Sequence, residues 1–278
     1  MNCDELGLSF AGCGFLGIYH IGVASCLQLS APQVLSNKIG GSSAGALCAL
    51  TLACDIPLVE VTRLVLSLAM EARKNILGAF SPSFELTGII RRKLESLLPN
   101  NVAEMVSGKF FVSITKTRKL KNLLVSEFHD KNDVIEAVLA SSFVPVMSGF
   151  NLPKFRGKLS LDGIYSDALP LLGDFTITVS PFAGDVSIST PEVTRVKASL
   201  SYGSGGSFHV SKNNLCKLRH ALIPPSILKM KSLCEQGFRD ARRFLLSEEC
   251  TISNVNKERI EGQCELPQDL SEVFNEFF

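Results

Sequence analysis

The 278-residue sequence predicts an α/β protein with a largely parallel central sheet. Three observations carry that expectation. Strand-like and helix-like segments alternate along most of the chain, as right-handed crossovers between parallel strands require. From Leu6 to Cys54 the only formal charge is Lys38, which suits a sheet covered on both faces. Gly12, Gly14, Gly17, His20, Gln28 and Pro32 interrupt that stretch, so it lacks the ~20 unbroken apolar residues of a spanning helix.

The elements follow in order. "LGLSFA" at 6–11 reads as a strand, "FLGIYHIGVASCLQL" at 15–29 as a helix, and "VLSNKIGG" at 34–41 leads into a second strand. "SSAGALCALTLACD" at 42–55 is rich in the helix formers Ala and Leu. Two amphipathic helices follow, 57–77 with Pro57 at its first turn and 84–99 closed by Pro99. Residues 109–118 and 121–128 read as paired strands, and 130–145 as a helix opened by Asp130 and stopped by Pro145. "GKLSLDG" at 157–163 and "DFTITVSPF" at 174–182 are strand-like again. Residues 183–210 turn small and polar, which predicts a flexible surface loop. Two helices over 211–248, divided by Pro224 and Pro225, are expected to pack on the preceding domain. Their basic residues, Lys217, Arg219, Lys229, Lys231, Arg239, Arg242 and Arg243, form either a solvated face or a contact with anionic lipid. The polar, acidic stretch 249–278 predicts a disordered tail.

Composition excludes several classes. Twenty-eight basic and 27 acidic residues leave a net charge of +1, which argues against a nucleic-acid surface. Nine cysteines lie scattered without C-x-x-C or His-flanked spacing, so we expect a reducing compartment, no disulfide framework and no metal. The N-terminus lacks the basic, apolar and cleavage regions of a secretory signal.

Gly12, Gly14 and Gly17 spell G-x-G-x-x-G, a dinucleotide fingerprint if an acidic residue follows about 20 positions later to hold the ribose. None occurs between Glu5 and Asp55. At that place stands Gly41-Ser42-Ser43-Ala44-Gly45, a G-x-S-x-G motif between a strand and a helix. A nucleophilic serine at so sharp a turn needs neighbours without side chains two positions either side, and Gly41 and Gly45 supply them. The first glycine loop then reads as an oxyanion hole, with the amides around Gly12, Cys13 and Gly14 aimed at the carbonyl that Ser43 attacks. Loops after neighbouring parallel strands meet at one sheet edge, which brings the two motifs together.

A base must take the serine proton. A Ser43–Asp162–His triad using His209 or His220 is one arrangement, but both histidines follow the polar stretch. His20 reads as a buried core residue. Asp162, at a strand end in "LSLDGIYSDALP", makes a Ser–Asp dyad if burial raises its pKa; as a lone turn former in "DG" it would need no further role. Gly163 frees the turn behind it, and Asp167 is the fallback carboxylate.

"LSFAGCGFLGIYHIGVA", "GGSSAGAL", "ASSFVPVMSG", "FRGKLSLDGIYSDALP" and "TITVSPFAGD" resemble the patatin-like phospholipase domain family, in its animal adiponutrin and adipose triglyceride lipase branch. The resemblance spans nearly residues 5–247, and the brief C-terminus looks like the short members. It implies a three-layer α/β/α catalytic domain over 1–182, a Ser43–Asp162 dyad, an oxyanion hole at Gly12, Cys13 and Gly14, and no cofactor. It also implies acyl-ester hydrolysis of neutral glycerides, phospholipids or retinyl esters at a lipid–water interface, or acyl transfer to another alcohol. A cytoplasmic protein peripheral to droplets or membranes, with a possible protein coactivator, follows from the same resemblance. A catalytically silent droplet or regulator-binding protein is the alternative of another class. Two positions depart from wider usage: Leu16 replaces a basic residue of plant patatins, as in the animal branch, and D-G-G or D-G-A becomes D-G-I. Ile164 is β-branched and would resist a positive φ.

Overall fold

The computed structural model describes residues 6–74, 78–81, 84–191, 198–247, 250, 252, 255 and 257–278. Its strands are β1 (Leu6–Phe10), β2 (Lys38–Gly41), β3 (Phe110–Lys116), β4 (Lys121–Val125), β5 (Lys154–Phe155), β6 (Lys158–Asp162), β7 (Phe175–Ser180), β8 (Ile188–Ser189), β9 (Ser199–Ser201) and β10 (Ser207–His209). The α-helices are α1 (Gly17–Ser30), α2 (Ala44–Ala53), α3 (Leu58–Lys74), α4 (Leu86–Leu97), α5 (Val102–Val106), α6 (Lys131–Ser141), α7 (Lys212–Leu222), α8 (Ile227–Leu246), α9 (Lys257–Gly262) and α10 (Gln268–Asn275). The expected extension of α3 to Leu77 lies outside the described residues, as does Cys3.

One mixed, mostly parallel sheet runs in the order β5-β6-β3-β2-β1-β7-β8, with β4 also on β3 and helices on both sides, a three-layer α/β/α fold. β1, β2, β3, β7 and β8 are parallel, whereas β4 and β6 run antiparallel to β3 and β5 antiparallel to β6. β1 is buried along its whole length, which accounts for its lack of alternation.

One register decides where the site forms. β2 pairs with the first half of β3, ending with Gly41 opposite Val112. β6 pairs with the second half, with Asp162 opposite Ile114. Two strands of opposite direction therefore arrive nearly end to end along β3, two residues apart or roughly 7 Å at ~3.3 Å per residue.

α1 is apolar on nearly every face because it lies between neighbours. It crosses α8 closely at Gly22 and Gly237, where a Cβ would meet the carbonyls of Cys234 and Tyr19 respectively. α6 opens on Asp130, whose carboxylate accepts from Asp133 N–H at 2.8 Å, and α7 and α8 open on Ser211 and Ser226 in the same way. Prolines 224 and 225 fall between α7 and α8. All eight described cysteines are free thiols, and no described helix is long and apolar enough to cross a membrane.

The stretch read as a polar loop over 183–210 contains β8 on the main sheet and the β9–β10 ribbon; residues 192–197 lie outside the described residues. The expectation of a disordered tail fails for 257–278. α10 buries Leu270, Val273 and Phe274 against α3 and α8, and Arg63 holds Glu276 in a two-pronged ion pair at 2.7 and 2.9 Å. The acidic composition hid an i, i+3, i+4 apolar stripe. Phe274→Ala should destabilise the protein by about 3–5 kcal/mol, read as a lower urea midpoint, whereas an unpacked tail predicts no change.

Candidate active site

The turn between β2 and α2 carries Ser43 at φ 52°, ψ −127°, a conformation that costs a non-glycine residue about 1–3 kcal/mol. Hydrogen bonds from several elements hold the turn. Ser43 N–H donates to Ser141 Oγ at 2.9 Å, and Ser141 Oγ–H donates to the Ser113 carbonyl at 2.7 Å. Ser42 Oγ–H donates to the Ala168 carbonyl at 3.0 Å, and Gly45 N–H to the Ser42 carbonyl at 2.8 Å. A Cβ at Gly41 or Gly45 would strike the Phe10 carbonyl oxygen, so the motif glycines let β1 pass beneath the turn. The Ser43 side chain is not used to cap α2, and its hydroxyl is left for other work.

The glycine loop lies beside this turn. A Cβ on Gly12 would stand 3.4 Å from Ser43 Cβ, and one on Gly17 3.0 Å from Ala44 Cβ. Gly14 takes φ 53° and opens the short 3-10 turn Gly14–Leu16 that leads into α1. Gly12 does not fill the donor role expected of it: its N–H donates to the Ala168 carbonyl at 2.9 Å. Ala168 is over 150 residues away in sequence, so no local pattern could reveal the bond. Cys13 and Gly14 precede or begin the 3-10 turn, and Ala44 begins α2, where amides have no intrahelical acceptor.

Asp162 ends β6 and is fully buried. Its Oδ1 accepts from Ile164 N–H at 2.9 Å. Its carbonyl accepts from Thr115 Oγ at 2.7 Å, and Thr115 Oγ also meets Ser166 Oγ at 2.6 Å. Oδ2 is buried and has no hydrogen-bond partner. Burial pushes the carboxyl up to about 7, partly offset by the Ile164 amide and by the nearby Ser43 hydroxyl. The Ser43 hydroxyl is thus near enough to favour the carboxylate while no hydrogen bond of ordinary length reaches Oδ2. Gly163 lets the turn settle against Ser42, where a Cβ would lie 2.7 Å from Ser42 Cβ. Ile164 sits in a 3-10 turn without positive φ, so D-G-I carries none of the strain its β-branch suggested.

The other candidate bases are engaged or distant. Asp167 accepts from Ser204 N–H at 3.0 Å and Ser204 Oγ at 2.8 Å, tying the β9–β10 ribbon down. His20 is buried, its Nε2–H donating to the Ala11 carbonyl at 2.8 Å, and desolvation lowers its pKa to about 4. Cys13 Sγ lies 3.2 Å from the same ring nitrogen, and burial raises the thiol pKa well above its ordinary value. His209 lies on β10, 3.7 Å from Asp185, and His220 on α7; neither lines the cavity below. Among the described residues no cluster of three His, Cys, Asp or Glu groups is placed to hold a metal ion.

Ser43 opens onto a cavity of about 100 Å³ that runs between α2, α3 and α4. Leu47 and Thr51 of α2, Leu64 and Leu68 of α3, and Ile90 and Leu94 of α4 form its walls; Gly14, Ser43 and Ser142 stand at the polar end. The walls and the Ser141 contact are the functional features that sequence reading missed. An amphipathic helix announces a buried face, but not that the face borders a void.

The sequence profile of the patatin-like phospholipase family matches residues 8–174. The chain is 42% identical over 250 residues to the 1-acylglycerol-3-phosphate O-acyltransferase Pnpla3 of Mus musculus, covering 89% of this chain and 60% of the relative. It is 41% identical to patatin-like phospholipase domain-containing protein 2 of Homo sapiens, over 86% of this chain and 48% of the relative. It is 37% identical to patatin-like phospholipase domain-containing protein 4 of Homo sapiens, over 88% of this chain and 98% of the relative. The chain thus spans about half to three-fifths of the first two relatives and nearly all of the third. A profile match covering well over half the chain, on a sheet that brings Ser43, the glycine loop and Asp162 to one place, shows that the chain belongs to the patatin-like phospholipase family.

Proposed function

We propose that the protein is a serine acyl-ester hydrolase acting on neutral glycerides at a lipid–water interface, with Ser43 as nucleophile and Asp162 as base. The observation that supports it most is the pairing of a strained serine with a buried, half-unpartnered carboxylate at the head of an apolar cavity. Ser43 Oγ attacks the ester carbonyl carbon as its proton passes to Asp162 Oδ2. The carbonyl becomes an oxyanion, for which the amides of Cys13, Gly14 and Ala44 are the donors at hand; one such donor is worth about 3–4 kcal/mol. On collapse, the Asp162 carboxylic acid returns the proton to the departing alcohol. Water then attacks the acyl-serine with Asp162 again as base, restoring both groups. The apolar cavity suits a fatty acyl chain, and with no ionised wall it favours neutral over charged acyl groups.

Acyl transfer is the second reading. The relative named as an acyltransferase and the apolar lining of the cavity both favour an alcohol competing with water for the acyl-serine.

In an emulsion of triolein, Ser43→Ala should lower kcat/KM at least about a thousandfold and Asp162→Asn about a hundred- to ten-thousandfold. His209→Ala and His220→Ala should change little. Activity needs ionised Asp162, so kcat/KM of the parent should rise about tenfold per pH unit up to about 7 and then level; a profile already flat at pH 5 contradicts the assignment. The folded protein also keeps a proton that the unfolded chain has lost between pH 3.8 and about 7. The buried carboxylate therefore costs stability as pH rises through that window, and Asp162→Asn should raise the thermal unfolding midpoint at pH 8 but not at pH 3. Ile90→Trp, which fills the cavity, should reduce turnover of long-chain esters while sparing butyrate esters.

A further inference from the structure

The hairpin of α7 and α8 bears an unpartnered face. α7 buries Asn214, Lys217 and Ala221 and turns Leu215 and Leu218 outward, 67% and 45% exposed. Ile223 and Leu228, 44% and 68% exposed, continue the apolar surface across the Pro224–Pro225 turn. Exposed leucines at i and i+3 on a helix whose other side is already packed are not core residues displaced outward; they form a second apolar stripe.

Charge accompanies it. No acidic residue occurs from Ala198 to Cys234, a stretch with five cations, although the whole chain is nearly neutral. Lys217 is buried and bonded to Thr190. Lys212, Arg219, Lys229 and Lys231 take part in none of the ion pairs among the described residues. Burial lowers the His220 pKa, and Lys229 and Arg219, from different helices, lower it further, so the three bases stand close together. Like charges gathered beside exposed leucines, and in no ion pair among the described residues, suit a surface that is anionic at its face and apolar beneath.

The place is as telling as the composition. The Ala221 carbonyl of α7 packs where a Gly14 side chain would be, so the hairpin abuts the glycine loop. Arg73, at the end of α3, donates to the Pro224 carbonyl at 3.2 Å, which ties the hairpin to a helix that walls the cavity.

We infer that the α7–α8 hairpin is the docking edge for an anionic phospholipid surface, with Leu215, Leu218, Ile223 and Leu228 entering the acyl boundary and Arg219, Lys229 and their neighbours meeting the phosphates. The inference rests on the lipid-hydrolase reading, for it sets the glycine loop against the lipid from which an ester would be drawn. Flotation with phosphatidylcholine vesicles, with and without phosphatidylserine, tests it. The parent should float with the mixed vesicles, less with phosphatidylcholine alone, and release as salt rises. Arg219→Gln with Lys229→Gln should weaken partitioning about thirtyfold, at about fivefold per cation. Leu215→Ser with Leu228→Ser should weaken it at least tenfold on both vesicle types. All four substitutions are at exposed positions, and hydrolysis of soluble butyrate ester should stay at the parent level. Vesicle binding that survives both double variants, a parent that does not bind, or a parent dimer in solution that the leucine variants dissolve would each overturn the docking edge. Loss of the hydrolase reading has its own mark: butyrate hydrolysis indifferent to Ser43→Ala, whatever the vesicles do.

Discussion

The site depends on how β3 is shared. β2 and β6 occupy successive halves of the same side of β3, with Gly41 opposite Val112 and Asp162 opposite Ile114. Because one partner is parallel and the other antiparallel, both chains leave the sheet at the same point. The turn after Gly41 and the turn after Asp162 thus face each other without any long side chain to bridge them. A slip of one residue would turn the Asp162 side chain to the opposite face of the sheet. Register, more than the residue types alone, makes a pair of Ser43 and Asp162.

Hydroxyls fix this arrangement where hydrophobic packing alone would be too coarse. Ser141 joins the Ser43 amide to the Ser113 carbonyl on β3, and Thr115, also on β3, holds the Asp162 carbonyl. Asn122 of β4 donates to both Ser113 Oγ and Ser166 Oγ, at 2.6 and 3.1 Å. These contacts rigidify the turns but leave the Ser43 hydroxyl and Asp162 Oδ2 outside the network. The result is a buried acceptor without a donor, a destabilising feature that an ordinary core would not keep. Desolvation raises the Asp162 carboxyl to about 7, close to the ordinary histidine range, which is what the proposed dyad asks of its base.

Much of the site was legible in the sequence because its chemistry is local. Gly41 and Gly45 flank Ser43 for steric reasons that operate within one turn, and the missing acidic residue after the glycine loop disfavours a nucleotide. A dyad is preferred to a triad because His209 and His220 follow the polar stretch, and the family resemblance sets Asp162 ahead of the fallback Asp167. What could not be read depends on distant contacts. The Gly12 amide is taken by Ala168, Ser141 arrives from α6, and the cavity belongs jointly to three helices. At the C-terminus the error was one of weighting: polarity over 249–278 outweighed a three-residue apolar stripe that α3 and α8 cover. Ile164 shows the reverse, a suspected strain that disappears because the turn is 3-10 and φ stays negative.

The most direct test of the convergence is a crystal structure of the protein with a long-chain alkyl phosphonate bonded to Ser43 Oγ. A phosphonyl oxygen is expected within hydrogen-bond distance of the Cys13 and Gly14 amides, with Asp162 Oδ2 facing the bonded oxygen and the alkyl chain between α3 and α4. A phosphonate on another residue, or one on Ser43 whose oxygen turns from the glycine loop and whose chain leaves the cavity empty, would contradict it.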